Sequence, residues 1–329
     1  MSTTLTARYA AHGNPVEVIE LAGEQFNAPA DGEISVRMMF APLNPSDINM
    51  LEGTYGVKAA LPAVGGNEGV GRVEAVGVNV SGFAVGDWVK PPGARGTWRQ
   101  ALTVIAAECV KLPASLSAEQ AAMIYVNPPT AWRMLHDFVT LADGEWIIQN
   151  AANSAVGRCV IQIAKALGWR TINLVRREDV VDELKALGGD IVNVETPDTF
   201  KQIKTWTGGQ FPRLALNAVG GDSAGTLSRS LGAGGKLVTY GGMSKQPVKL
   251  ATGPLIFKDL SYHGFWMTRW YATHSPAERD EMYAQLAKLF ADDQLKIAVE
   301  KIHPLVEIKS AIASALQEKR GGKILLDLK

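Results

Sequence analysis

The sequence has few cysteines and no long apolar run, and these absences exclude several classes of protein. Two cysteines, Cys109 and Cys159, are too few for a disulfide framework or a thiolate-rich metal site, so a reducing compartment is the simplest interpretation. No run of about 18 apolar residues exists, which predicts a soluble chain without membrane insertion. The N-terminus resembles neither a signal peptide nor an Arg-rich transit segment, which favours a cytoplasmic enzyme, although a processed chain of the mitochondrial matrix would look the same.

The sequence also lacks an excess of charge of either sign. Lys and Arg total 33, and Asp and Glu total 33, so nothing in the overall charge indicates a nucleic-acid or polyanionic membrane partner. Clustered metal ligands are missing as well, because the histidines are scattered and neither cysteine lies in a ligand-spaced group. The sequence therefore predicts no metal site. The histidines are His12, His136, His263, His274 and His303.

The length of 329 residues favours two domains, and the sequence pattern changes accordingly along the chain. The first part has short apolar runs broken by Gly and Pro, which is typical of a compact β-rich domain. From about residue 145, strand-like and helical segments alternate, which predicts a doubly wound parallel sheet. We expect a β-rich domain over residues 1–124, completed by residues 267–329, and a nucleotide-binding domain over residues 125–266.

A strand, a turn and a helix meet in QNAANSAVGRC, residues 149–159. Asn153, Ser154, Ala155 and Val156 are predicted to open the helix, where exposed amides and the positive helix end suit a pyrophosphate. Gly157 would let the helix approach the sheet closely. The segment departs from the usual G-x-G-x-x-G pattern, so a tight β-to-α turn without nucleotide stays an alternative.

Two arginines, Arg176 and Arg177, follow the next predicted strand, where a site specific for NAD would place a carboxylate. Guanidinium groups suit a 2′-phosphate, so the sequence favours NADPH over NADH. The alternative is a solvated basic pair beside Glu178 and Asp179. Further along, the strand end at Tyr240, Gly241, Gly242 and Met243 is a candidate to line the nicotinamide half, or else a simple glycine turn.

Hydride addition to a conjugated carbonyl builds negative charge on its oxygen and α-carbon, so a polarising or proton-donating group is needed. Tyr55 is a candidate, in a Gly-flanked loop after residues 44–47, which are predicted to form a turn. The alternative is a packed amphipathic ring. Asn127 precedes two prolines and is either a polar site residue or a turn former.

Several segments together resemble one family. They include NPSDINMLEGTYG, LPAVGGNEGVG, NPPTAWRML, IQNAANSAVG, RTINLVR, TYGGMSKQP and IFKDLSYHGFW. The sequence is similar through nearly its whole length to the 2-enoyl thioester reductases, the zinc-independent enoyl-CoA and enoyl-acyl-carrier-protein reductases of the medium-chain dehydrogenase/reductase superfamily. Asn67 occupies the position in GGNEGVG where zinc-dependent enzymes of this type have the histidine of a GHE-like motif. The resemblance implies a GroES-like β-rich catalytic domain and a Rossmann-type nucleotide-binding domain.

The resemblance further implies that NADPH reduces a trans-2-enoyl thioester, carried by CoA or acyl-carrier protein, to the saturated acyl thioester in fatty acid metabolism. Tyr55 matches the family's active-site tyrosine, and a homodimer is implied. Ala155 and Glu178 depart from some relatives, which leaves the strength of 2′-phosphate binding open. The residues that match the NADPH site are Asn127, Asn153, Ser154, Ala155, Val156, Arg176, Arg177, Tyr240, Gly241, Gly242, Met243, Phe265, Trp266, Met267, Thr268 and Lys323.

Two other functions stay open at this point. An NADPH:quinone reductase would share the nucleotide site but would not depend on Tyr55. A regulator that binds NADPH without turnover would keep the fold and lack the reaction. Enoyl thioester and quinone assays separate the three.

Overall fold

The computed structural model describes residues 2–113 and 116–329, and its internal contacts form two compact units. The first unit comprises Met1–Tyr125 and Ile297–Lys329, and the second comprises Val126–Lys296. The chain thus returns to the first unit at Ile297, later than the predicted boundary at 267. Residues 267–296 stay with the second unit because helix 276–291 packs on helix 127–136, and because the Gln162 side chain bonds both backbone groups of Lys296, at 3.1 and 2.9 Å.

The described residues of the first unit form a β-rich fold. A seven-stranded sheet has the order β15-β16-β3-β5-β6-β8, with β7 also paired to β3, and a smaller sheet has the order β2-β1-β4. Strand β16 pairs in parallel with β15 and antiparallel with β3, so the end of the chain lies inside the larger sheet. The strands are β1 (Ser2–Tyr9), β2 (Glu20–Phe26), β3 (Glu33–Pro42), β4 (Ala63–Val64), β5 (Val70–Val76), β6 (Trp88–Lys90), β7 (Ala101–Ile105), β8 (Val110–Lys111), β15 (Val299–Pro304) and β16 (Lys323–Asp327).

Short helices cover the core of the first unit, which is built from alternating inward-facing apolar residues of these strands. Helix α12 packs its buried face, including Ile308 and Ile312, on β15 and β16. The helices are α1 (Pro15–Val18), α2 (Pro45–Glu52), α3 (Ala118–Ala122) and α12 (Ile308–Leu316), with single 3₁₀ turns at Gly93–Arg95, Ala106–Glu108 and Leu305–Glu307.

The second unit is a doubly wound α/β domain. Its six strands are all parallel, in the order β11-β10-β9-β12-β13-β14. The strand order reverses between β9 and β12, and ligands of such sheets bind outside the carboxyl ends of the strands at this reversal. The strands are β9 (Trp146–Gln149), β10 (Arg170–Val175), β11 (Ile191–Val194), β12 (Leu214–Asn217), β13 (Lys236–Thr239) and β14 (Ser261–Gly264).

The helices of the second unit alternate with these strands, as the sequence pattern predicted. Local capping sets several of their starts, for example at α11, where Ser275 and Glu278 form a capping box around Pro276, the first helical residue. The helices are α4 (Asn127–His136), α5 (Ala155–Ala166), α6 (Val181–Leu187), α7 (Ile203–Trp206), α8 (Gly221–Ser230), α9 (Thr252–Phe257), α10 (Met267–Thr273) and α11 (Pro276–Ala291), with 3₁₀ turns at Glu178–Val180 and Thr199–Lys201. In residues 2–113 and 116–329, no helix has the length and apolar character needed to cross a membrane.

Candidate active site

The turn between β9 and α5 has the form that the sequence predicted. Ser154 is the N-cap of α5, and its hydroxyl accepts a hydrogen bond from the Gly157 backbone N–H at 3.1 Å. A Cβ atom at Gly157 would lie 2.6 Å from the carbonyl oxygen of Ala152, so only glycine fits where helix and sheet meet. Asn153 to Val156 are half-buried at the helix start. Free backbone N–H groups at this position can hold a pyrophosphate.

The two predicted arginines lie at the carboxyl end of β10, next to β9 in the sheet. Arg176 is exposed, and Arg177 is half-buried with its Nη1 atom 3.0 Å from the Asp179 carboxylate. For Arg177, this ion pair agrees with the alternative that the two arginines form a solvated basic pair beside Glu178 and Asp179. Arg176 still presents a guanidinium group at the edge of the sheet that carries the β9–α5 turn.

The segments after β13 and β14 lie side by side. Thr239 pairs with Gly264, and the Phe265 N–H donates to the Thr239 carbonyl oxygen at 2.9 Å. The Tyr240 hydroxyl is buried close to the Ser154 side chain. Burial raises the pKa of Tyr240, and the nearby Ser154 hydroxyl opposes that rise. The structure thus brings the end of β13 to the β9–α5 turn, which joins two of the predicted nucleotide segments.

The remaining predicted residues of these segments differ in exposure. A Cβ atom at Gly241 would lie 2.9 Å from the Ala218 carbonyl oxygen, whereas Gly242 has open space around it. Met243 is 54% exposed and Trp266 is 41% exposed, which is unusual for side chains of this size. Met267 is buried, and Phe265 and Thr268 are half-buried and exposed, respectively. Exposed large apolar groups at the edge of a ligand-binding sheet are candidates to contact a flat ring.

Asn127 lies in the second unit as the first residue of α4, and it is 5% exposed. The possibility that it merely forms a turn is therefore wrong. Pro128 and Pro129 follow it in the first helical turn, where proline is tolerated because its missing N–H has no intrahelical partner. A proline pair after a polar residue was the sequence signal for this helix start.

A buried polar network links the carboxyl ends of four strands, and the sequence analysis did not single it out. The Asn150 Nδ2 atom donates to Asn217 Oδ1 and to the Ser223 hydroxyl, both at 2.8 Å, and Ser223 donates to Glu195 at 2.7 Å. Asn217 also donates to the Thr239 hydroxyl at 3.1 Å. Burial raises the pKa of Glu195, and the Ser223 hydroxyl opposes that rise. The network fixes the strand ends that form the crevice.

A sequence signal for this network existed. The apolar runs of β9 and β12 end in IIQN and LALN, so an asparagine follows or closes each buried strand. Both Asn150 and Asn217 are fully buried, and buried amides require partners. Two such asparagines at parallel strand ends predict a cross-strand contact.

Tyr55 lies in the first unit, two residues after the αL residue Gly53 that ends α2. The tyrosine is half-buried, and its backbone N–H donates to the Asn49 carbonyl oxygen at 3.1 Å. The predicted turn at residues 44–47 is wrong, because these residues start α2. Asn44 is its N-cap, and Asp47 at the third helical position bonds back to the Asn44 N–H at 2.7 Å.

Buried charges surround the start of α2. Lys323, at the start of β16, donates through Nζ to the Leu43 carbonyl oxygen at 2.9 Å and to the Asn44 side chain. The Asn44 amide in turn donates to Glu68 at 2.8 Å. Lys323 was predicted to line the nucleotide site; the structure ties it into this cluster of the first unit, where it is 5% exposed.

Asp47 is the centre of the same cluster. Its carboxylate accepts hydrogen bonds from the Asn67 backbone and side chain at 3.0 and 2.6 Å, so it connects α2 to the GGNEGVG loop. Burial raises the pKa of Asp47 to about 7, while the Asn44 N–H and the Lys323 charge lower it and Glu68 raises it. Neither Asp47 nor Glu68 was predicted as a site residue from the sequence. The signal was an acidic residue in each of NPSD and GGNEG, a helix start and a loop that contact each other.

A dinucleotide fits the second unit on two observations: the close approach at Gly157 and the capped start of α5. Metal ligands do not converge in the same way. Over residues 2–113 and 116–329, no three His, Cys, Asp or Glu side chains come close enough to hold a metal ion.

Comparisons with known proteins agree with the two units. The alcohol dehydrogenase GroES-like domain model matches residues 30–114, and the zinc-binding dehydrogenase model matches residues 155–292. The human mitochondrial enoyl-[acyl-carrier-protein] reductase is 44% identical over 326 residues, covering 97% of this chain and 87% of the human one.

Solved structures give the same result. The mitochondrial 2-enoyl thioester reductase Etr1p/Etr2p heterodimer from Candida tropicalis is 33% identical, with a TM-score of 0.90 and coverage of 99% of this chain and 100% of that one. The complex of Etr1p with NADP and crotonyl-CoA is 32% identical, with a TM-score of 0.88 and the same coverage. The chain belongs to the 2-enoyl thioester reductase family of the medium-chain dehydrogenase/reductase superfamily.

Proposed function

We infer that this protein is an NADPH-dependent reductase of trans-2-enoyl thioesters. The observation that carries the inference is the carboxyl edge of the parallel sheet, where the capped β9–α5 turn lies beside two arginines at the end of β10. The family relationship supplies the reaction, since Etr1p forms a complex with NADP and crotonyl-CoA. The product is the saturated acyl thioester, and the reaction belongs to fatty acid metabolism.

NADPH oxidation with crotonyl-CoA and longer trans-2-enoyl-CoAs, measured beside a quinone panel, tests this function. We expect turnover with the thioesters. Turnover with quinones alone would instead support a quinone reductase. Tight NADPH binding without reduction of any enoyl thioester would support a regulator, and either result would overturn the assignment.

In this reaction NADPH, when bound, supplies a hydride to the β-carbon of the enoyl group. The backbone amides from Asn153 to Val156, at the start of α5, would hold the pyrophosphate, and Arg176 and Arg177 would hold the 2′-phosphate. The residues assigned to the rest of the nucleotide site are Asn127, Tyr240, Gly241, Gly242, Met243, Phe265, Trp266, Met267 and Thr268. Tyr55 interacts with the thioester oxygen as negative charge develops there, or supplies the proton that the α-carbon takes up.

Arg176 and Arg177 predict a preference for NADPH over NADH, and replacing both should remove that preference. In the double variant Arg176→Ala, Arg177→Ala, we expect kcat/KM for NADPH to fall about 10²- to 10⁴-fold, because two groups are removed and each charge-assisted hydrogen bond contributes about 1.5–3 kcal/mol. The value for NADH should change little. Steady-state kinetics with both nucleotides measure the ratio. Arg213→Ala is the control, since Arg213 is an exposed arginine of the same unit paired with Glu145; an unchanged NADPH to NADH ratio in the double variant contradicts the role.

A homodimer through the edge of the second unit's sheet is part of the same proposal. Strand β14 is an edge strand, and α9, directly before it, has no buried residue. On α9, Leu255, Ile256 and Phe257 are 41%, 63% and 87% exposed. An unpaired strand edge beside exposed apolar side chains suits a second copy of the chain in a two-fold arrangement. The heterodimer of the similar Candida proteins is consistent with pairing between related chains.

Charge in this patch should separate the dimer. For the double variant Ile256→Glu, Phe257→Glu we expect a monomer by sedimentation velocity at micromolar concentration, because two carboxylates would be buried without partners. The control is Val78→Glu, which changes a single valine of the first unit that is 72% exposed, and it should stay dimeric. A monomeric wild type, or a double variant that remains dimeric, contradicts this interface.

The proposal also covers the carrier and the compartment. We propose that either CoA or acyl-carrier protein presents the enoyl group, and comparison of kcat/KM for the two carriers on one acyl chain decides between them. The proposed compartment is the cytoplasm. For a processed eukaryotic chain it is the mitochondrial matrix, because the similar curated reductases are named mitochondrial.

A further inference from the structure

We propose that His12 is a positioning residue that fixes the Tyr55 loop by completing the C-terminal end of α2. The proposal rests on the role of Tyr55 in the proposed function. His12 lies in the loop between β1 and α1, far from Tyr55 in sequence, and within the first unit its ring reaches the last turn of α2.

His12 and Gly13 both contact carbonyl oxygens in the last turn of α2, where i→i+4 partners are missing. The Met50 carbonyl oxygen accepts from the Gly53 N–H at 3.2 Å and lies 3.1 Å from the His12 Nδ1 atom. The adjacent Gly13 N–H donates to the Leu51 carbonyl oxygen at 3.0 Å. Because a carbonyl oxygen can only accept, Nδ1 carries the proton. Two consecutive residues thus complete the end of α2.

The same ring shapes the turn that leads to Tyr55. Gly53 has φ of 73°, and a Cβ atom there would lie 2.8 Å from His12 Cγ. Only glycine therefore fits between the helix end and the ring. After this turn, the N–H groups of Thr54 and Tyr55 both donate to the Asn49 carbonyl oxygen, at 2.9 and 3.1 Å. The backbone position of Tyr55 is set by the turn of α2 that His12 holds.

The rest of the His12 environment keeps the ring in place. The Tyr9 ring lies 5.9 Å from it, centroid to centroid, at an angle of 51°, and Tyr9 is 2% exposed. At the opposite end of α2, Asp47 is bonded to the Asn67 loop. Helix α2 is therefore held at both ends. His12 contacts the end that leads to Tyr55, and Asp47 lies at the other end.

The test is a double-mutant cycle on turnover of crotonyl-CoA. His12→Phe keeps a ring beside Gly53 and removes the donor, and we expect kcat to fall about 10- to 100-fold, since small displacements of a reacting group have effects of this size. The KM for NADPH should stay unchanged. His12→Asn places an amide Nδ2 donor near the position of Nδ1 and should recover most of the rate. In the Tyr55→Phe background, His12→Phe should cause no further loss.

The outcomes distinguish His12 from the reaction itself. Equal losses in both backgrounds, or no loss with His12→Phe, would overturn the positioning role and leave the reductase assignment intact. Full turnover by Tyr55→Phe would contradict the role of Tyr55 and this proposal together. If thermal melting shows that His12→Phe does not fold, His12→Ala takes its place in the same cycle.

Discussion

Tyr55→Phe is expected to lower kcat for crotonyl-CoA reduction by about 10²- to 10⁴-fold, the usual contribution of a positioned proton donor. The substitution keeps the ring and removes only the hydroxyl, so packing of the half-buried side chain after α2 should persist. The NADPH dissociation constant, measured by fluorescence titration, should stay within about twofold of the wild type. A change of that size corresponds to well under the roughly 1.4 kcal/mol of a tenfold change in affinity. A large loss of kcat with normal NADPH binding assigns the hydroxyl to the chemical step.

The matched control is Tyr262→Phe. Tyr262 lies in β14, and its hydroxyl is 2.7 Å from the Ser228 hydroxyl in the second unit. We expect this variant to turn over crotonyl-CoA at nearly the wild-type rate. Undiminished turnover in Tyr55→Phe would show that the reaction does not use this hydroxyl.

Lys323→Met is expected to lower the free energy of unfolding by about 3–5 kcal/mol, because it removes one partner from a buried group of charges. Met fills a similar volume, so the loss comes mainly from the charge and its hydrogen bonds. Asp47 and Glu68 then remain buried, with Asn44 and the Leu43 carbonyl oxygen deprived of their donor. Urea unfolding followed by circular dichroism measures the change.

The destabilisation should grow with pH. Since burial raises the pKa of Asp47 from its ordinary value of 3.8 to about 7, its contribution to stability declines as pH rises through that interval. Lys323 lowers this pKa, so its removal raises the pKa further and extends the decline to higher pH. The difference between variant and wild type should be larger at pH 8 than at pH 5. Lys329→Met, which removes an exposed lysine near Asp327, is the control; a pH-independent difference at Lys323 would contradict the account.

Local patterns were sufficient to predict most of the second unit. Strand β10 covers the RTINLV run at 170–175, and α11 covers residues 276–291. In both segments the apolar periodicity ends at residues that favour an element boundary. At α11 these residues are Ser275, which caps the helix, and Pro276, which favours the first helical position. Such signals need no knowledge of distant contacts, so the sequence contains them in full.

The first turn of α2 shows where local patterns are ambiguous. Asn, Pro, Ser and Asp favour tight turns and also favour helix starts, for the same reason: their side chains bond nearby backbone groups. Residues 44–47 were therefore predicted as a turn, although the order N-cap Asn44, Pro45 and Asp47 matches a capping box. The apolar spacing of Ile48 and Leu51, both buried, would have favoured the helix.

Contacts between distant segments account for what could not be predicted. The Asn150, Asn217, Ser223 and Glu195 network joins residues from separate βα units, and no single segment contains it. The placement of residues 267–296 depended in the same way on a tertiary contact, that of α11 with α4. The roles of the nucleotide and Tyr55 residues stay predictions until the measurements above are made.

The position of β16 inside the larger sheet also has a consequence for the order of folding. Leu326 pairs with Ala41, so the first unit closes only after the ribosome has delivered the whole of the second unit. Residues 126–296 are continuous and contain their own sheet, so they can fold while translation proceeds. During that time β3 lacks β16 as a neighbour, and chain entropy opposes the closure that unites them. The second unit can therefore fold on the nascent chain before the first unit gains its last strand.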